Sequence, residues 1–267
     1  MHITKIPKKN GKFRTIYVPN KEEKRELRKL LRSINKKQIK YLDKEVVHGF
    51  FPKRNPVTNA KRHIGYEYTL CFDLHDFFDS VTLDKVGFRL TDKQREKCFV
   101  DGAARQGLPT SPALANLAAW PMDKGILYYM KMKDMRGKDI VYTRYADDLS
   151  FSFNDPSLIK KLRKDIPDIV KRYGFEINHS KTRCQAAVAG RRIICGVAVD
   201  KDGIYPTRKS RRKLRAALHQ NHMRSAQGLK EWTKLKVPVV FDAAEQISKV
   251  ADNLDIYNAD MNFSLDR

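Results

Sequence analysis

Tyr142-Thr143-Arg144-Tyr145-Ala146-Asp147-Asp148-Leu149-Ser150-Phe151-Ser152-Phe153 is the stretch on which the fold turns. Its aromatic and β-branched residues suit strands on either side of two adjacent acids. Leu149, Phe151 and Phe153 alternate with Ser150 and Ser152, the period of a half-buried strand. The expectation is a β-hairpin with Asp147 and Asp148 at its tip. Asp is also a good turn former, so the pair alone does not separate a plain turn from a chemical site. Its companions elsewhere in the chain do.

Upstream, Tyr68-Thr69-Leu70-Cys71-Phe72-Asp73-Leu74-His75-Asp76-Phe77-Phe78-Asp79-Ser80-Val81 begins as a strand and ends in an acidic, aromatic turn. Asp73 falls at the strand's end, where a side chain leaves the core. Asp73, Asp76 and Asp79 repel one another unless a cation offsets them. Mg²⁺ suits this chemistry, since it takes oxygen ligands and is held by one or two carboxylates plus substrate phosphates. Three carboxylates from two strands can hold two such ions, which clamp the attacking and leaving oxygens of a phosphoryl transfer.

The wider chain supports a polyanionic substrate. Its 267 residues carry a formal charge of +23, which points to nucleic acid as partner. An anionic membrane is the weaker rival, because no stretch has a concentrated apolar face or an apolar run able to span a bilayer. Met1-His2-Ile3-Thr4-Lys5 does not open a signal peptide, and Cys71, Cys98, Cys184 and Cys195 lack metal-ligand spacing. A cytoplasmic protein with free thiols is expected.

Ile6 to Pro19 reads as two short strands around an Asn10-Gly11 turn. Asn20 and Glu23 form a capping box for a helix whose Leu27, Leu30, Leu31 and Ile34 face inward beneath a crowd of bases. His48-Gly49-Phe50 and Thr58 to His63 read as loop, with structural rather than catalytic histidines. In Ala104 to Ala119, Ser111 suits an N-cap and Pro112 the first helical position. Asp155-Pro156 opens a helix that Gly174 closes and Pro167 interrupts. Phe175 to Thr182 runs back to the sheet, and Arg192 to Asp200 reads as a hairpin strand with a close backbone approach at Gly196. Thr207 caps a helix bearing Arg208, Lys209, Arg211, Arg212, Lys213 and Arg215 with no acid among them, a nucleic-acid footprint. Beyond Lys230 helical segments and a polar tail are expected.

Taken in order, Phe72-Asp73 with Phe77-Phe78, Gln106 to Pro112, Tyr145-Ala146-Asp147-Asp148 and Asn178 to Lys181 resemble the palm of a reverse transcriptase. Asn59-Ala60-Lys61-Arg62-His63 and Thr110 to Leu117 narrow the resemblance to the bacterial retron type. It implies an α+β right-hand polymerase fold: fingers at 1–68 with 88–105, an antiparallel-sheet palm at 69–87 and 106–203, and a short helical thumb at 204–267. It also implies that Asp73, Asp147 and Asp148, with the Leu74 carbonyl, bind two Mg²⁺ ions, Asp147 mattering most. Lys8, Arg14, Asp76 and Gln106 would meet the incoming dNTP or its template. Phe78 would be the gate against a ribose 2′-hydroxyl, and Lys181 the proton donor to pyrophosphate. Cys195 and Gly196 would grip the primer. The implied partners are a structured non-coding RNA that serves as template and primer, its DNA product, and an effector or toxin protein, in phage defence.

The chain departs from the retron pattern at Ile194-Cys195-Gly196, where Val-Thr-Gly is usual, at His75 for lysine and at Asp79 for proline. The span from Asp73 to Gln106 is short. A neighbouring defence-associated, diversifying or intron-derived reverse transcriptase, a template-independent polymerase and a catalytically vestigial RNA-binding scaffold stay open as alternatives.

Overall fold

A computed structural model of the chain describes residues 1–7, 11, 13–132, 135–234 and 237–238, the side chains of Phe88, Val237 and Pro238 excepted. The chain divides into two units, Met1–Lys236 and Val237–Arg267. The second is described only as a two-residue strand, Val237–Pro238; the polar tail lies outside the described residues, as do Lys8 and Asn10.

Strands β1 (His2–Pro7) and β2 (Phe13–Val18) pair antiparallel as a separate two-stranded sheet. Helix α1 (Lys21–Tyr41) starts where its sequence dictates: Asn20 Oδ1 accepts from the Glu23 amide at 2.9 Å, and the Asn20 amide donates to Glu23 Oε2 at 2.8 Å. The stretch expected as loop contains a short helix, α2 (Pro56–Lys61). A second capping box forms it, with Asn55 Oδ1 accepting from the Val57 and Thr58 amides. Its proline sits in the first turn, where a missing N–H costs nothing.

The central sheet has the order β4 (Ile140–Tyr145), β5 (Asp148–Phe153), β3 (Tyr68–Asp73), β6 (Arg183–Ala186), every neighbour antiparallel. Short helices α3 (Leu83–Val86) and α4 (Asp92–Lys97) follow β3. Helix α5 (Ser111–Lys131) is apolar over most of its surface and is buried accordingly. Thr110, not Ser111, holds its cap position, and the helix continues through Pro121. Helix α6 (Leu158–Arg172) buries Leu158, Leu162, Ile166, Ile169 and Val170, one helical stripe. It starts two residues past Pro156 and runs unbroken through Pro167, against the expected interruption. Gly174, at φ +72°, ends it as predicted. A second antiparallel set follows: β7 (Arg192–Ile194), β8 (Val197–Val199) and β9 (Gly203–Pro206). Helices α7 (Arg208–His219) and α8 (Met223–Thr233) complete the described chain. Among the described residues no helix is long and apolar enough to cross a membrane.

Strand β5 is buried on both faces, so the half-buried expectation is corrected. Leu149, Phe151 and Phe153 enter the apolar core, with Phe151 stacked on Tyr142 at 4.7 Å. Ser150 and Ser152 are covered as well, Ser152 by His63 just past α2 and by Thr69 of β3. There His63 meets Ser152 Oγ at 2.9 Å and Thr143 Oγ1 at 2.7 Å.

A buried ion pair joins these layers. Arg144 and Asp123 are both inaccessible to solvent, and the guanidinium donates to both carboxylate oxygens at 2.7 to 3.0 Å. Tyr142 donates its hydroxyl to the same carboxylate at 2.7 Å, while Arg144 Nη1 reaches Asn116 Oδ1 at 2.9 Å. Asn116 in turn donates to Gln38 of α1 and to the Gly49 carbonyl, each at 2.8 Å. Removing one partner strands a buried charge. Asp123→Ala is therefore expected to cost about 3–5 kcal/mol in urea unfolding. An Asp123→Leu, Arg144→Met double variant should recover much of that loss; equal losses in both would show that pairing is not what matters.

Candidate active site

The hairpin register refines where the acids lie. Tyr145 pairs with Asp148, so the turn is Ala146-Asp147 and Asp147 alone is at the tip. Asp148 opens β5 and faces Asp73 directly across the β3–β5 ladder. Ala146 has φ +57°, a left-handed conformation that costs a non-glycine residue about 1 kcal/mol or more. Its surroundings hold it there. Arg144 Nη1 donates to the Ala146 carbonyl at 3.3 Å, and the Leu74 amide donates to the Asp147 carbonyl at 2.9 Å. Gly49 lies flat on the turn, where a Cβ would stand 2.2 Å from the Ala146 nitrogen.

Three carboxylates thus meet at one end of the central sheet. Burial first, then the charges of Asp147 and Asp73, push Asp148 up to about 6. Asp147 is also raised, by burial and by Asp73, with Lys181 and Arg14 opposing. Lys181 Nζ donates to both Asp73 oxygens, at 3.0 and 2.9 Å, and this bond raises the lysine's own pKa. Among the described residues no three His, Cys, Asp or Glu side chains close into a ready-made metal cage. The donor set is all oxygen, as a hard cation requires. Leu74 buries its side chain in the core.

Asp76 and Asp79, grouped with Asp73 on sequence, go elsewhere. Asp79 accepts from Arg105 Nη1 at 2.8 Å, and Asp76 lies 3.3 Å from His75 Nδ1. Both are exposed, Asp76 at φ +41°. The cluster is therefore Asp73 alone on this turn. Phe78 is half-buried, its ring tilted against Phe50 at 6.0 Å and Phe77 at 5.8 Å. The carbonyl of Gln106 accepts from the Tyr17 amide of β2 at 2.8 Å. Gly107, at φ +105°, permits this approach, since a Cβ would stand 2.3 Å from the Tyr17 carbonyl oxygen. Exposed Arg14 on the same strand lies close enough to favour the ionised form of Asp147. Lys8 lies outside the described residues.

Residues assigned to nucleic acid gather around a groove of about 1430 Å³ between the β7–β8 hairpin and α7. Gly196, Arg208, Lys209, Arg211, Arg212 and Lys213 line it; Arg215, though exposed, does not. Cys195 and Gly196, at φ +47° and +81°, form the hairpin turn. No backbone approaches Gly196: a Cβ there would meet nothing within 4 Å, so it is the turn's positive φ that favours glycine. Cys195 points inward, its Sγ 3.2 Å from Asn59 Nδ2 and 3.9 Å from Asp148 Oδ2. Sequence reasoning missed Arg183 and Arg191, which also line the groove. Arg191 stacks on Tyr205 at 3.6 Å and pairs with Asp200. It also missed Arg144, although that residue adjoins the acids.

The family described as Reverse transcriptase (RNA-dependent DNA polymerase) matches residues 6–192. The Retron Mx65 reverse transcriptase of Myxococcus xanthus is 30% identical over 91% of this chain and 62% of its own length. The Retron Ec86 reverse transcriptase of Escherichia coli is 32% identical over 78% of this chain and 65% of its own. The chain thus spans less than two thirds of either relative. Among solved structures, telomerase from Candida tropicalis superposes with TM-score 0.51 at 16% identity, over 77% of this chain and 54% of that one. A foamy viral protease-reverse transcriptase superposes with TM-score 0.52 at 17% identity, over 95% of this chain and 39% of that one. Both likenesses show the reverse-transcriptase polymerase fold. The chain belongs to the reverse transcriptase (RNA-dependent DNA polymerase) family and is similar to retron reverse transcriptases.

Proposed function

We propose that this chain is an RNA-directed DNA polymerase that copies a structured non-coding RNA, which also supplies the primer, into DNA as part of a retron-type phage defence. The observation that carries this reading is the meeting of Asp73, Asp147 and Asp148 at one sheet end, with Arg14, Lys181 and Arg183 among the nearby cations. Fingers at 1–68 with 88–105, palm at 69–87 and 106–203, and thumb from 204 follow the same reading. Two Mg²⁺ ions bound by the three carboxylates would activate the primer hydroxyl and offset charge on the leaving pyrophosphate.

The chain's own groups divide the remaining work. Arg14 and Lys181 stand where a triphosphate would lie, and Lys181 carries a proton suited to the departing pyrophosphate. Phe78, braced by Phe50 and Phe77, is a rigid wall against a 2′-hydroxyl. The groove beside Arg208 and Arg212 tracks the phosphates of the duplex. Along α1, Lys21, Arg25, Arg28 and Arg32 line a further basic groove, while Glu23 pairs with the amino terminus and Glu26 with Lys93. This unbalanced face suits a polyanion larger than the duplex in the cleft.

Three outcomes are expected. Wild-type protein should extend a primer on RNA with Mg²⁺ and dNTPs, and an Asp147→Ala, Asp148→Ala variant should not; equal yields would remove the catalytic assignment. Phe78→Val should raise ribonucleotide incorporation relative to deoxynucleotide by roughly tenfold or more, the scale of discrimination that pocket shape provides. The third concerns stability. Asp148 titrates near 6 in the fold but near 4 in an unfolded chain, so the folded form binds the extra proton between those values. Stability of the metal-free protein therefore falls as pH rises from about 4 to about 6, and the penalty persists above. Asp148→Asn should raise the Tm of EDTA-treated protein at pH 7.5 by on the order of 5 °C, the gain vanishing near pH 4. A Tm difference independent of pH would contradict this account.

A further inference from the structure

The β7–β8 hairpin is fastened to the central sheet at three points, two of them supplied by α2 and the residues just after it. Arg192 is buried and donates from Nη2 to the His63 carbonyl and from Nη1 to Thr69 Oγ1, each at 2.9 Å. Ile193 exchanges both backbone groups with the Gln185 side chain, at 2.7 and 3.0 Å. At the turn, Cys195 Sγ takes the Asn59 amide at 3.2 Å while lying 3.9 Å from Asp148 Oδ2.

Asn59 is fully buried, and its Oδ1 has no partner. A side chain kept only to fill space would be apolar here, because a half-satisfied buried amide is costly. Its single engagement is with the sulfur beside a catalytic carboxylate. The helix that carries it is itself immobilised. Thr58 bonds His48 Nδ1 at 2.9 Å, and His63 is held by hydroxyls on β4 and β5. A fixed frame thus reaches the hairpin turn through one bond.

We propose that Asn59 is a positioning residue: through the Cys195 sulfur it fixes the Cys195-Gly196 turn against Asp148, and so sets where the primer terminus lies relative to the three carboxylates. This rests on the polymerase reading and on that turn holding the primer. His63, which anchors Arg192 at the other end of β7, keeps the strand from pivoting.

Steady-state extension on RNA with a separate primer tests the idea, comparing wild type, Asn59→Ala, Cys195→Ala, Cys195→Ser and the Asn59→Ala, Cys195→Ala double variant. Each alanine variant should raise the KM for primer–template by about fivefold, the effect of one lost buried hydrogen bond, with the KM for dNTP within about twofold of wild type. The double variant should be no worse than either single one, since both remove the same contact. Cys195→Ser, which keeps an acceptor for Asn59, should recover most of the loss. Multiplying effects in the double variant, an unchanged primer–template KM, or a matching fall in kcat alone would each overturn the proposal. If Asn59→Ala fails to fold by thermal unfolding, the Cys195→Ala and Cys195→Ser pair decides. Wild type and the double aspartate variant run alongside; no difference between them would fail the polymerase reading rather than the role of Asn59.

Discussion

Three carboxylates held at one point repel each other, and the fold must supply the rigidity that keeps them there. The Arg144–Asp123 pair, buried directly behind the turn, is the interaction that does so. Arg144 is a β4 residue, so its guanidinium links the strand to α5 through Asp123 and Asn116. The same group bonds the carbonyl of Ala146, the residue in the left-handed conformation. Backbone bonds from Arg144 to Val46 and from His48 to Arg144 carry the loop holding Gly49 onto the turn. Strain at Ala146 is thus distributed over a network that has no freedom to relax it.

How far the sequence disclosed this depends on the range of each interaction. Tyr145-Ala146-Asp147-Asp148 was legible through its companions, since Asp73, the Gln106 loop and Lys181 stand in order along the chain with it, and Asn20 with Glu23 because a capping box is complete within four residues. Asp123 and Arg144 are 21 residues apart and meet only after a helix and a strand have packed. Nothing local marks either as buried; Arg144 sits in a stretch of a very basic chain, where an exposed base is the default. Acid spacing misled in the other direction. Asp76 and Asp79 share a turn with Asp73, yet the turn aims them outward and Arg105 claims Asp79. Likewise Ser150 and Ser152 signalled an exposed face, because hydroxyls are polar in sequence but neutral in the interior, where Ser152 partners His63 and Thr69.

The basic residues consequently include two populations that net charge cannot distinguish. Arg208, Lys209, Arg211, Arg212 and Lys213 face a groove, and no ion pair among the described residues involves them. Arg144 and Arg192 are inside the protein, where each donor must find an acceptor. Arg192 meets this demand in part, its two terminal nitrogens donating to neutral oxygens of Thr69 and His63 while Nε has no partner, and Arg144 meets it with an anion.

That choice of neutral partners also explains His63. Burial and then the charge of Arg192 push its pKa down to about 3, so the ring is uncharged at neutral pH. Both ring nitrogens face hydroxyls, those of Ser152 and Thr143, and a hydroxyl can donate or accept. Either tautomer of the neutral ring is therefore satisfied without rearrangement. A protonated ring would need two acceptors and would sit against the Arg192 guanidinium, so the network resists the charge twice over. The layer against β4 and β5 is polar and directional, and its two buried histidines charge only near 4 and near 3, below the carboxylate transition near 6. Any response of the site to pH in the neutral range then belongs to the carboxylates and their counter-ions, with the supporting layer unchanged beneath them.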